Sequence, residues 1–397
     1  MARSNYITIS LKLQELSVLN VRDIGEKIEI EVIRKWDYTV CPFCGRTTSR
    51  IHQRSTPLRR VEDLPIQGRK AILIVRKRRF ICSACGKVFT ELLDSIKPRA
   101  RRTTRYEQYL YKRGTNVAFK EMSFREGIAY TTYRRLWYRV AKREIENHER
   151  PSVRKMGIDE FSRAKGHMYD TVVTDLERHR VVEVLKGRGK EPLKGYLENQ
   201  EIKPSVFVVD MHKPYASAIE EACPDADIVI DRFHVIRKVN EALDRIRKTL
   251  QRAYKKRGGG KRFVYRIRWL LLKGRERLSE DEKERLDYVL NRAPLLSRAY
   301  DLKEMFRDLY RVCENYKDGR GCIECWCDMC DTVNVSPFKD VSRMVREWIH
   351  PISLYFEHRV TNGYTEGVNN KIKVDKRMAY GYRNFENQRI RILTKCG

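Results

Sequence analysis

Two short apolar runs in this chain each stop on an aspartate. Met156-Gly-Ile closes on Asp159, and Ser205-Val-Phe-Val-Val closes on Asp210. Runs of this kind read as strands. A carboxylate placed in such surroundings costs several kcal/mol unless it is paired or bound to a metal. The fold must therefore carry both acids to a compensating partner. A third acid, Glu366, opens a segment (Gly-Tyr-Thr-Glu-Gly-Val-Asn-Asn) that reads as helical. Carboxylates at adjacent strand ends, with a third reaching in from a helix, form the oxygen-rich cage that suits Mg²⁺.

The neighbourhood of these acids gives the fold class. Three strand candidates (around 153–161, 167–175 and 180–187) are followed by a helical stretch, the Asp210 strand, a short helix around Ala218–Cys223 and a fifth strand, Ala226–Asp231. Three antiparallel strands followed by alternating helix and strand is the order of an RNase H-like α/β core. Residues 151–234 form its first part and 351–397 its last. Between them, 235–350 reads as an all-helical insertion. There Leu302, Met305, Phe306, Leu309, Tyr310 and Cys313 recur at helical spacing, and Ser279 with Glu282 offers a capping box. Lys255-Lys-Arg-Gly-Gly-Gly-Lys-Arg reads as a mobile loop without the spacing of a phosphate-binding P-loop, so no nucleotide cofactor is expected.

The formal net charge of +30 favours a polyanionic partner, and DNA or RNA over a membrane. Residues 1–150 alone hold 33 lysines and arginines against 16 acidic residues. No stretch approaches the roughly 20 apolar residues of a membrane span, and the first residues lack a signal-peptide core, so an intracellular chain is expected. In a reducing compartment the eleven cysteines point to metal rather than disulfides. Cys41-Pro-Phe-Cys44-Gly and Cys82-Ser-Ala-Cys85-Gly are two knuckles in which thiolate pairs approach one Zn²⁺. Residues 1–96, with strand-like alternation before the first knuckle, read as a zinc-ribbon domain. His52 reads as an ordinary histidine. Residues 97–150 read as a basic linker, solvated or tracking phosphates, followed by a helix-turn-helix with its turn at Gly127. Tyr133, Leu136, Trp137 and Val140 would face inward, leaving Thr132, Arg134, Arg135, Tyr138 and Arg139 as candidate DNA contacts.

Asp231 and His234 follow the fifth strand and share its edge with the acids. Glu366, Asn370 and Lys373 fall at i, i+4, i+7 on one helix face, where the lysine could hold a phosphate. Cys322, Cys325, Cys327 and Cys330 offer a possible second zinc site, against the plainer reading of small apolar packing.

Taken in this order, the whole chain resembles the DDE transposases of insertion sequences. Within them it is most similar to the insertion-sequence L-three lineage, whose members carry this zinc ribbon. CPFCG, RRFICSACGKVFTE, GIDEFSRAKGHMY, DRFHVIRKVNEALDRIR and the GVNNKIK block with AYGYRNF carry the likeness. The resemblance implies a DDE triad at Asp159, Asp210 and Glu366, and a D(2)H pair at Asp231 and His234. Asn362 stands where related elements have arginine. It further implies DNA cleavage and strand transfer with two Mg²⁺ (or Mn²⁺) ions, a homodimer on terminal inverted repeats and target DNA, and a place at the nucleoid in a prokaryotic cytoplasm. Two alternatives stay open at this point: a zinc-ribbon regulator or domesticated inactive transposase, and a structure-selective nuclease with RNase H-like chemistry.

Overall fold

The computed structural model describes residues 12–53, 56–148, 151–164, 168–256 and 267–397. Parts of three sequence expectations lie outside them: the start of the N-terminal alternation, the turn at 165–167, and 257–262 of the glycine-rich segment. The chain divides into two compact units, Met1–Asn147 and His148–Gly397. No helix among the described residues is long and apolar enough to cross a membrane.

The first unit is built on a four-stranded sheet in the order β1-β2-β7-β6, where β1 is Leu16–Asp23, β2 Lys27–Arg34, β6 Arg59–Ile66 and β7 Arg69–Arg76. The alternation Lys-Ile-Glu-Ile-Glu-Val in β2 buries Ile28, Ile30 and Val32 against Val61, Leu73, Val75, Leu93 and Ile96. The apolar and basic run from Ile72 to Ile81 forms two strands, because the chain leaves the sheet at Arg76 and starts β8 (Arg79–Ile81) in another. The turn contains Arg78, which is buried with Glu91 and ties the sheet of β5 (Ile51–Gln53), β8 and β9 (Val88–Thr90) to the carbonyl of Trp36. Three helices follow: α1 Thr104–Gly114, α2 Phe119–Arg125 and α3 Tyr130–Glu146. Gly127, at φ +60°, turns the chain between α2 and α3. Tyr133, Leu136, Trp137 and Val140 are buried on α3 as the periodicity predicts.

The second unit carries a five-stranded sheet in the order β12-β11-β10-β13-β14. Strands β10 (Lys155–Ala164), β11 (Met168–Asp175) and β12 (Arg180–Leu185) form an antiparallel meander. Strands β13 (Val206–Val209) and β14 (Asp227–Ile230) run parallel to β10, linked through α4 (Lys190–Glu198) and α5 (Lys213–Ala222). From β14 the chain enters α6 (Arg232–Lys256) and a helical region from α7 (Arg268–Leu272) through α8 (Glu280–Leu290), α9 (Pro294–Val312), α10 (Tyr316–Val333) and α11 (Ser336–Glu347) to α12 (Ile349–His358). The capping box at Ser279 and Glu282 forms. On α9, Leu302, Phe306 and Tyr310 are buried, but Met305 is exposed: the apolar stripe runs through Leu296 and Ala299 and leaves Met305 beyond its edge. Helices α13 (Gly363–Met378) and α14 (Phe385–Cys396) then return to the sheet, α13 on β10 and α14 on β12. Arg389 fixes α14 through a two-pronged ion pair to Glu183 of β12, at 2.6 and 2.7 Å.

Candidate active site and metal centre

Strand register aligns the acids. Gly157 pairs with Val208 across β10 and β13, and Val209 pairs with Ile230 across β13 and β14. Continuing both parallel ladders sets Asp159, Asp210 and Asp231 in one row, Asp210 and Asp231 just past the carboxyl ends of β13 and β14 and Asp159 beside them midway along the longer β10. In open α/β sheets this edge is where ligands bind. Asp159 is only 9% exposed. Burial is the largest influence on it and the charge of Asp210 the next, and together they push its carboxyl up to about 7. One oxygen accepts the Glu160 backbone N–H at 2.7 Å, and the other accepts from Asn369 Nδ2, also at 2.7 Å.

Asp210 Oδ2 lies 2.6 Å from His234 Nδ1, while Asp210 Oδ1 is buried with no hydrogen-bond partner. So short a contact to a carboxylate requires the proton on Nδ1. Arg237 Nη2, 3.0 Å from the same nitrogen, therefore approaches it without donating to it. Burial alone would lower the His234 pKa. The hydrogen bond and charge of Asp210 outweigh that and raise it. Burial raises the Asp231 pKa, but its carboxylate accepts backbone N–H groups from Phe233 and Asn362. Asp231 thus caps the first turn of α6 and ties it to the start of α13.

The seating of α13 involves residues that sequence periodicity does not single out. Asn362, buried at its N-terminus, donates from Nδ2 to the Ile158 carbonyl at 3.1 Å. Thr365 and Thr174 hydroxyls meet at 2.7 Å. A Cβ on Gly157 would stand 2.5–2.7 Å from Asn362 Oδ1 and both threonine hydroxyls, so the glycine permits this approach. Glu366 lies on the first turn, solvent-exposed, and lines a cleft of about 570 Å³ with Asp231, Phe233, Arg277 and Arg311. One turn on, Asn369 rather than Asn370 bonds Asp159, and it also donates to the Glu160 carbonyl at 3.2 Å. Asn370 is exposed and accepts from Lys373 Nζ at 3.4 Å, so these two turn to solvent. The paired asparagines signalled a special position but not which of them faces inward.

The second candidate centre is in the first unit. Sγ atoms of Cys41 and Cys85 are 3.7 Å apart, those of Cys44 and Cys82 3.5 Å, and all four lie within 4.8 Å of one another. Each knuckle turns the same way. Gly45 N–H donates to the Cys41 carbonyl and Gly86 N–H to that of Cys82, both at 3.0 Å, with φ of +72° and +69° at the glycines. Backbone N–H groups of Cys85 and Ala84 help hold the Cys82 thiol down to about 6. Four converging sulfurs with tightly turned knuckles fit a structural Zn²⁺. Among the described residues this is the one group of three or more ligand atoms drawn so close, and Asp159, Asp210 and Glu366 do not close to that range.

Cys322, Cys325, Cys327 and Cys330 all lie on α10 and do not converge. Cys327 and Cys330 are fully buried in the helical core, Cys327 bonding the Ser342 carbonyl at 3.8 Å, while Cys325 faces solvent. Helical phase spreads a CxxCxCxxC run around the axis, and packing claims two of its members. On α3, Thr132, Arg134, Arg135 and Arg139 are exposed, but Arg139 pairs with Glu107 and Tyr138 is half-buried edge-on to Phe119 and Trp137.

Comparison with known proteins supplies the family. A family model for ISL3-type sequences, described as a transposase, matches residues 156–392. A second, described as the zinc finger of the transposases of IS204, IS1001, IS1096 and IS1165, matches 37–85 and so spans all four knuckle cysteines. The transposase for insertion sequence element IS1001 of Bordetella parapertussis is 28% identical over 373 residues, covering 92% of this chain and 90% of that one. The transposase for insertion sequence element IS1557 of Mycobacterium tuberculosis (strain H37Rv) is 27% identical over 258 residues, covering 59% of this chain and 58% of its own. With the transposase model matching well over half its length and the zinc finger matched separately, the chain belongs to the ISL3 family of transposases.

Proposed function

We propose that this chain is a catalytically competent DDE transposase that binds the terminal inverted repeats of its insertion sequence, cleaves their ends and joins them to target DNA. The row of Asp159, Asp210 and Asp231, with the helix bearing Glu366 bolted over it by Asn369, is the observation that carries this reading. The oxygen set suits a hard divalent cation. Asp210 Oδ1 is buried without a partner among the described residues, and Asp159 is held beside Asp210 at a cost that positive charge would relieve. Asp159, Asp210 and Glu366 would hold Mg²⁺ or Mn²⁺. Bound there, such ions activate an oxygen nucleophile and stabilise the leaving oxygen in phosphodiester chemistry.

The chain's own groups prepare the site. Asn369 fixes the Asp159 carboxylate, His234 keeps Asp210 oriented, and Asp231 joins α6 to α13. In this scheme 1–96 is the zinc-ribbon module, 97–150 holds a helix-turn-helix whose α3 contacts DNA through Thr132, Arg134 and Arg135, and 235–350 is an insertion in an RNase H-like core. Handling two element ends calls for a homodimer, acting at the nucleoid of a prokaryotic cytoplasm. The test is nicking of duplexes carrying the element's ends across a Mg²⁺ titration, with Asp159→Asn as control. End binding without Mg²⁺-dependent nicking by the wild type would leave a DNA-binding protein instead.

A further inference from the structure

The basic segment 97–102 is not a free linker. It is laid along β6, an edge strand of the first sheet. Glu62 N–H donates to the Arg101 carbonyl and Thr103 N–H to the Glu62 carbonyl, both at 2.9 Å. Arg59 holds the Ala100 carbonyl at 2.7 Å, Arg102 pairs with Glu62 at 2.7 Å, and Thr103 and Arg105 bond the buried Asp63 at 2.6 and 2.8 Å. With the backbone and inner side chains used this way, Lys97, Arg99 and Arg101 point outward and are exposed. Arg99 adopts a φ of +60°, a conformation that a non-glycine residue keeps only where its surroundings enforce it.

Across from this arm stands α3, and between them lies a cleft of about 400 Å³ lined by six cationic side chains and a single carboxylate, Glu107. Glu107 is already taken by Arg139. Lys97, Arg99, Arg101 and Arg135 have no acidic partner among the described residues. Four like charges held around one cleft repel, and the fold gains nothing visible from gathering them. They are placed for an anion that arrives from outside. Arginine-rich walls suit phosphate oxygens, which the guanidinium fork can meet in pairs.

We infer that this cleft grips the sugar-phosphate backbone of one DNA strand beside the segment α3 reads. The 97–101 arm supplies Lys97, Arg99 and Arg101, and α3 supplies Arg135. The inference rests on the proposed DNA binding by this unit, and it assigns the arm a sequence-independent role within it.

The test uses the full zinc-loaded chain and the triple variant Lys97→Gln, Arg99→Gln, Arg101→Gln. Binding to an element-end duplex and to an unrelated duplex is followed by anisotropy from about 50 to about 200 mM KCl, the range over which counterion release dominates affinity. Affinity should fall by the same factor for both duplexes, and the slope of log K against log salt should flatten by about 2.7, or about 0.9 per lost phosphate contact. Arg135→Gln alone should flatten it by about 0.9. An unchanged slope in the triple variant overturns the inference while leaving end binding intact. A loss confined to the element-end duplex overturns it too, since the arm would then be reading bases. Wild-type protein that binds neither duplex defeats the proposed function first, and the inference with it.

Discussion

The two candidate metal centres are built in opposite ways. The cysteine cluster is local and repetitive: two identical knuckles, each closed by a glycine in the left-handed region, bring four sulfurs within 4.8 Å. The carboxylate site is assembled at long range. Strand register sets three aspartates in a row, and a helix from more than a hundred residues later is pinned over them by Asn362 and Asn369. Around the cysteines little else forms a core, only Phe80, Phe89 and Ile51. The acids instead sit on an extensive apolar core that reaches from the sheet into the helical region. A zinc ion in the first case would be part of the fold; a divalent ion in the second would be a visitor to a scaffold built on its own apolar core.

The sharpest way to break this contrast is at the knuckle. Structural zinc sites contribute about 10–16 kcal/mol of apparent binding energy in small zinc domains. Cys44→Ser should therefore lose zinc and melt the ribbon, read by metal content and circular dichroism; native melting with full zinc content would erase the distinction. At the other centre, Asp159→Asn should lower Mg²⁺-dependent nicking by about 10³-fold or more, since the metal site is asked to supply several kcal/mol, while the fold persists.

The same variant carries a stability signal of the opposite sign. The Asp159 pKa is raised from 3.8 to about 7, so the folded state binds its proton more tightly than the unfolded chain does. Stability of wild-type protein without Mg²⁺ should then fall as pH rises from about 4 to about 7. Asp159→Asn, which cannot ionise, should melt higher than wild type at pH 8 and converge with it near pH 4, zinc being retained throughout. An equal difference at both pH values would show that the acid is not strained by burial.

Smaller effects probe how α13 is seated. Gly157→Ala forces a methyl group against three polar atoms and should cost about 1–3 kcal/mol in urea unfolding. Gly195→Ala, on α4 with nothing within 4 Å, should instead stabilise by about 0.5–1 kcal/mol. Asn369→Ala, which strips a buried carboxylate of a donor, should cost about 1–3 kcal/mol, and Asn370→Ala less than about 0.5 kcal/mol. Reversal of that last pair would mean the helix is rotated from the orientation described.

Much of the layout is legible in the sequence where a local rule has no competitor. The apolar runs before Asp210 and Asp231 mark strand ends, whereas β10 runs on past Asp159 to Ala164, and CxxCG marks a knuckle. What stays illegible depends on phase or on distant partners. Choosing Asn369 over Asn370 requires the rotation of α13, set by Asn362 and Thr365 against β10 and β11. Tyr138 is drawn inward by Phe119, from another helix, so its place in the chain suggests an exposure it lacks. The 97–103 arm looks solvated because its anchors, Glu62 and Asp63, lie some forty residues earlier. The four cysteines of α10 resemble a ligand set only until helical phase distributes them.

The joint at Asn362 has a further consequence. Its side chain holds β10 and its backbone N–H holds Asp231, so the chain that departs from the sheet at Asp231 is fastened again at its return beside the point it left. The helices between those two fasteners pack into the same apolar core as the sheet. Releasing Asn362 would therefore disturb Asp159, Asp231 and the helix bearing Glu366 together, since strand, departing chain and returning helix are all tied at one residue.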